Sequence, residues 1–224
     1  MKSKLYLVST PIGNLKDITL RAIDVLSSVE IIACEDTRKT GLLLQKLEIK
    51  TKPQLLSYYE ENEQGRIPQI IGFLKQNKSV ALVSNAGTPT ISDPGYKLVR
   101  ECLNQGIMIE SIPGPSSILT ALTLSGLPTD KFLFLGFLPK KEGKRKTILE
   151  SLPKKTTIIF FESPFRLTKT LKELKEIFGD INVVICRELT KIFEEIRREK
   201  ISNSIDHFEQ ARPKGEFTIL FRLG

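Results

Sequence analysis

"SVALVSNAGTPTISDPG", residues 79–95, passes from an apolar run into a loop with two glycines, two prolines and one charge, in a chain that is 27% charged. "SVALV" has the unbroken apolar character of a strand buried on both faces. After the loop, Leu98, Val99, Cys102 and Leu103 fall on one helical face, and "SDPG" reads as a helix start with Asp93 as cap and Pro94 in the first turn. A strand, a bare loop and a helix in that order form one unit of an α/β fold. The loop's polarity is mostly main chain, which suits a grip through amides and carbonyls: glycine admits close approach, and proline fixes φ without adding a competing donor.

The same alternation extends outward. "KLYLVS" (4–9), "EIIACE" (30–35) and "IMIESI" (107–112) read as further buried strands, with helical patterns such as 18–29 and 66–76 between them. A largely parallel sheet with helices on both faces follows. After "PGPSS" (113–117) the pattern restarts: a helix to about 125, strands "KFLFLGF", "TTIIFFES" and "INVVICREL", a helix over 164–178 between the second and third, and a last strand "EFTILFR". The expected class is α/β, with two α/β domains over 1–115 and 116–224.

Composition excludes several function classes. The 224 residues are 40% hydrophobic with no apolar stretch of about 20 residues, and the opening meets a proline and a glycine before any signal core forms, so a soluble, cytoplasmic protein without membrane partners is expected. Cys34, Cys102 and Cys186 lie far apart in apolar runs and read as reduced core thiols; with His207 the only histidine, neither a metal centre nor a histidine triad is expected. Thirty-four basic against 26 acidic residues give +8, a surplus that suits a polyanionic partner.

Four Gly/Pro-rich segments follow strands: "STPIGN" (9–14), the opening loop, "PGPSS", and "ESPFR" (162–166). In open α/β sheets the ligand crevice lies at the strands' carboxyl ends. None of the four is a Walker A or G-x-G-x-x-G loop, so nucleoside triphosphate and dinucleotide readings lose their usual support. Spacing alone reaches a crevice-binding α/β protein with its ligand unnamed.

"LVSTPIGNLKDIT", "CEDTR", "VSNAGTPTISDPG", "IPGPSS", "FFESPFR", "CRELTKIFEE" and "KGEFTIL", in this order, resemble the signature segments of the ribosomal RNA small subunit methyltransferase I family, within the tetrapyrrole methylases. The resemblance spans essentially the whole chain. It implies S-adenosylmethionine held in a cleft between two α/β domains, transfer of its methyl group to the ribose 2′-oxygen of a cytidine in the decoding region of 16S rRNA in the small ribosomal subunit, and a homodimer. A tetrapyrrole methyltransferase and a non-catalytic RNA-binding relative stay open beside it.

Carried over by position, the resemblance places the cofactor at Pro11, Ile12, Gly13 and Asn14, at Ala86, Gly87, Thr88 and Ile91, at Ser116 and Ser117, and at Glu162 and Leu189. Two positions depart from it: Asn85 stands where the family usually has Asp, and Phe165 where it has His. The 2′-hydroxyl's proton needs an acceptor, for which Glu35, Asp36, Glu162 and Glu188 are candidates. Arg38, Arg166, Arg187 and Lys191 are candidates for RNA phosphates, although such neighbours are also the ordinary signature of structural ion pairs. "PKKEGKRK" (139–146) reads as a solvent-exposed loop whose Lys140, Lys141, Lys144, Arg145 and Lys146 would grip the RNA backbone.

Overall fold

The computed structural model describes residues 3–210 and 213–224. Two compact units divide the chain between Ser116 and Ser117. The first is built from β1 (Lys4–Val8), α1 (Leu20–Ser28), β2 (Ile31–Cys34), α2 (Thr37–Lys46), β3 (Gln54–Ser57), α3 (Glu63–Lys75), β4 (Val80–Val83), α4 (Tyr96–Asn104) and β5 (Met108–Ile112). Its five strands are all parallel, in the order β3-β2-β4-β1-β5. Period-two alternation feeds both faces. Leu5, Ile31, Ala33, Val80 and Leu82 pack beneath α3 and α4, whereas Val8, Ile32, Cys34, Ala81 and Val83 pack beneath α1 and α2.

The second unit contains α5 (Ser117–Ser125), β6 (Phe132–Phe137), α6 (Glu142–Glu150), β7 (Thr157–Glu162), α7 (Leu167–Phe178), β8 (Asn182–Arg187), β9 (Glu195–Lys200), α8 (Ile201–Gln210) and β10 (Phe217–Arg222). Here the restart of the pattern does not restart a parallel sheet. The order is β6-β7-β10-β8-β9, and only β6 and β7, which are hydrogen-bonded neighbours, pair in parallel. Helices α6, α7 and α8 cover one face through Leu149, Leu167, Leu171, Leu174, Ile201, Ile205 and Phe208, and α5 packs along β10.

Two expectations are corrected. Asp93 is not a helix cap: α4 begins at Tyr96 behind Gly95, whose φ of 135° no other residue adopts comfortably and whose added Cβ would lie 2.7 Å from Leu82 Cδ2. Residues 139–146 are not a solvated loop either, because Glu142–Glu150 forms α6 and Arg145 is buried at 2% exposure. Arg145 Nε and Nη2 each donate to the Glu173 carboxylate at 2.5 Å, and Nη1 donates to the carbonyls of Pro139 and Lys140 at 2.7 and 3.1 Å. With four of its five N–H groups bonded inside the unit and its side chain buried, Arg145 holds the helix in place and is not presented to RNA. The three cysteines are free and buried, and no described helix is long and apolar enough to cross a membrane.

Candidate functional site

In the first unit β1 and β4 are neighbours, yet the chain leaving β1 goes to α1 on one face and the chain leaving β4 goes to α4 on the other. Such a switch point opens a crevice at the strands' carboxyl ends. The two loops there, 9–14 and 84–95, are stitched together by a two-way bridge: Thr10 N donates to Gly87 O at 2.9 Å, and Gly87 N to Thr10 O at 3.0 Å. Thr10 Oγ1 donates to Ser84 O at 3.1 Å and Ser9 Oγ to Thr88 Oγ1 at 3.2 Å, while Thr88 Oγ1 donates to Pro115 O at 3.3 Å. The loop after β5 closes on the same point, where a Cβ on Gly114 would sit 3.0 Å from that of Ser9.

Loop 84–95 takes up backbone conformations that side chains resist. Gly87 has φ 80°, with Ile12 Cγ2 3.6 Å from where its Cβ would be, and Thr90 and Ser92, which are not glycines, have φ 74° and 61°. A β-branched residue in that region is an outlier that surrounding structure must enforce. The geometry thus gathers Pro11, Ile12, Ala86, Gly87, Thr88 and Ser116 into one set of converging loops, with Gly13 and Asn14 exposed on the first loop and Ile91 exposed on the second. Asn14 also accepts from Lys16 N at 3.1 Å, so its side chain starts a short turn of 3-10 helix over Leu15–Asp17. Ser117, Glu162 and Leu189 belong to the second unit, where Ser117 opens α5 and Leu189 is buried.

The carboxylates differ in how far they are engaged. Asp36 caps α2 through Arg38 N and Lys39 N and bonds the Arg38 guanidinium at 3.0 and 3.2 Å; that side-chain pairing, reinforced by the amides, holds its pKa down to about 2. Glu162, with its side chain wholly buried, accepts from Arg166 at 2.7 Å, Thr170 Oγ1 at 2.6 Å and its neighbour Ser163 N at 2.7 Å. Burial pushes the Glu188 pKa up, but Lys191 at 2.9 Å and Glu216 N at 2.9 Å outweigh it, and the pKa ends below the usual carboxylate value. Glu35 has a different setting: its partners are neutral, Asn85 N at 3.0 Å and Asn85 Nδ2 at 3.4 Å. An aspartate at 85 would place two carboxylates side by side, which Asn85 avoids.

Asp93, a helix cap by its sequence pattern, is a further candidate. Burial pushes its carboxyl up to about 6; a hydrogen bond with Ser84 opposes this and the nearby Glu35 charge adds to it. "SDPG" is also a common helix-start pattern, so nothing in the sequence distinguishes this role. The basic candidates are largely paired: Arg38 with Asp36, Arg166 with Glu162 and Leu138 O, Arg187 with Glu195 and Lys214 O, and Lys191 with Glu188 and Glu216. Lys140, Lys141, Lys144 and Lys146 are exposed and, among the described residues, in no ion pair.

Comparison with known proteins fits this architecture. The family of Tetrapyrrole (Corrin/Porphyrin) Methylases matches residues 4–204. A Thermotoga maritima protein named ribosomal RNA small subunit methyltransferase I is 51% identical over 97% of both chains, and a Rickettsia prowazekii protein of the same name is 50% identical over 98% of this chain and 78% of its own. Among solved structures, uroporphyrin-III-C-methyltransferase from Thermus thermophilus has a TM-score of 0.71 at 20% identity, covering 97% of this chain and 94% of its own. Another structure of that enzyme, complexed with S-adenyl homocysteine, has a TM-score of 0.67 at 18% identity and covers 97% of each chain. The fold is that of the tetrapyrrole methylases, and at half identity over nearly its whole length the chain belongs, within them, to the ribosomal RNA small subunit methyltransferase I family.

Proposed function

We propose that this protein transfers the methyl group of S-adenosylmethionine to the ribose 2′-oxygen of a cytidine in the decoding region of 16S ribosomal RNA. The observation that carries the reading is the 51% identity, over 97% of both chains, to a protein named for methylating small-subunit RNA. Bound, the cofactor would supply a methyl group on a sulfonium sulfur, and in-line attack by the 2′-oxygen would break the sulfur–methyl bond and release a neutral thioether. The converging loops suit such a cation, since they are rich in main-chain oxygens and poor in competing positive charge. The candidates for holding it in the first unit are Pro11, Ile12, Gly13, Asn14, Ala86, Gly87, Thr88, Ile91 and Ser116; Ser117, Glu162 and Leu189 are those that the family resemblance adds. The left-handed Gly87 removes the Cβ that would otherwise project beside Ile12 and Pro115 O.

Most of the acceleration would come from orientation, with a carboxylate needed only to take the hydroxyl proton. Asp36 is held too acidic for that, Glu162 is enclosed, and Glu188 is tied to Lys191. Glu35 and Asp93 remain, and burial raises the Asp93 carboxyl toward the working pH. In this reading a homodimer without metal works in the cytoplasm on assembled small subunits. The fold neighbours named as uroporphyrin methyltransferases favour a second reading, methylation of a tetrapyrrole. A cofactor titration followed by methyl transfer to small subunits, bare 16S RNA and uroporphyrinogen separates the two. Product on the small subunit is expected; product on uroporphyrinogen alone, or none on any acceptor despite cofactor binding, contradicts the proposal.

A further inference from the structure

We infer that one edge of the second unit's sheet is a stacking platform for unpaired nucleobases of the small-subunit RNA, with Phe165 and Phe193 as its faces and Ile192 between them in contact with the same bases. The inference rests on the ribosomal reading above and names side chains that reading does not use. Strand pairing fixes the edge: β6 is parallel to β7, and β7 and β8 are each antiparallel to β10, so β6, β7 and β8 all run the same way. Their outgoing loops therefore share one edge. Phe165 lies in the loop after β7, and Ile192 and Phe193 in the loop after β8. Only β10 stands between those strands, so the loops leave the sheet roughly 10 Å apart.

The loop over 188–194 is folded in a way that displays its tip. Lys191 N donates to Glu188 O at 3.0 Å, Glu194 N to Lys191 O at 3.1 Å, and Thr190 N to the Glu194 carboxylate at 2.6 Å. Lys191 Nζ ties the loop to Glu216 at 2.9 Å, and Glu188 and Thr190 take left-handed φ values of 50° and 66°. Two non-glycine residues are thus held in unfavourable backbone to present Ile192 at 95% exposure and Phe193 at 73%, while Phe165 across β10 is 82% exposed. Apolar side chains left this exposed bury little surface on folding, and grouped on one edge they mark a contact surface.

Charge decides the occupant. Lys140 and Lys141, just past β6, and Lys214, just before β10, rim the same edge, exposed and without ion pairs among the described residues. A second copy meeting the same edge would set these lysines against each other, whereas RNA brings phosphates to the lysines and flat bases to the phenylalanines.

The test is a Phe165→Ala, Ile192→Ala, Phe193→Ala triple variant of the full chain, compared with wild type for binding and methylation of small subunits. Because all three side chains are exposed, the thermal melt and S-adenosylmethionine affinity should stay unchanged. Affinity for the small subunit should fall roughly tenfold or more, with the slope of log affinity against log salt preserved, because stacking rather than phosphate binding has been removed. Unchanged affinity overturns the inference, and so does a change in sedimentation showing that the edge joins two copies. If wild type itself neither binds nor methylates small subunits, the ribosomal reading has failed instead.

Discussion

At Gly87 and Asp93 the proposed function turns on a backbone state and a side-chain state, respectively. Gly87 has φ 80°, so Gly87→Ala should lower stability by about 1 kcal/mol through left-handed strain alone, its Cβ meeting Ile12 at an ordinary 3.6 Å. Gly87→Val also projects methyl groups beside Ile12 and Pro115 O, so calorimetry should show sharply weakened cofactor binding while circular dichroism shows a retained fold. Asp93 is predicted through its proton. Its folded pKa of about 6 lies above the 3.8 of the unfolded chain, so the native state holds a proton that the unfolded state has released. The contribution is present below pH 4 and lost as pH rises through 6, so wild type should lose stability relative to Asp93→Asn over that window, by on the order of 1 kcal/mol after allowing for partial exposure. Denaturation curves at pH 4 and pH 7 measure it. If Asp93 also takes the substrate proton, Asp93→Asn should lower kcat by roughly a hundredfold without weakening cofactor binding.

Among elements, α6 separates structural charge from exposed charge. Arg145→Gln leaves the largely buried Glu173 carboxylate with only Lys169, 3.8 Å away, and should cost about 3 kcal/mol in a urea melt. Lys140, Lys141, Lys144 and Lys146, replaced together by Gln, should leave the melt nearly unchanged. The difference was not legible in "PKKEGKRK": composition marks all five as solvated, and the partner that encloses Arg145 lies 28 residues away on α7. Strand β9 was illegible for a related reason. "EIRREK" has one apolar residue, and its charges pair along the strand, Arg197 with Glu195 and Glu199, as suits the outer strand of a sheet. The strands β1, β2, β4 and β5 were legible because apolar runs that face helices on both sides need no partner to be recognised. The converging loops were legible as Gly/Pro clusters behind those strands; that Asp93 is a half-buried acid was not, since burial depends on packing that no local pattern encodes.

For the molecule as a whole, net charge and local pairing give different expectations. The surplus of +8 is real, yet Arg38, Arg166, Arg187 and Lys191 spend their charge on neighbouring carboxylates, so phosphate binding should fall to exposed lysines. Replacing Lys140, Lys141, Lys144 and Lys146 with Gln should flatten the salt dependence of small-subunit binding by roughly one unit of slope for each lysine that had neutralised a phosphate, leaving cofactor affinity as it was. The most direct test of the account is to locate the methyl group. Small subunits lacking the modification would be incubated with the protein and S-adenosylmethionine, and the 16S RNA then cleaved by mild alkali. Because that cleavage needs a free 2′-hydroxyl, one decoding-region cytidine should become resistant and its nucleoside should carry the added mass on the ribose. A methyl found on a base, or an RNA ladder unchanged while uroporphyrinogen is methylated, would contradict the account.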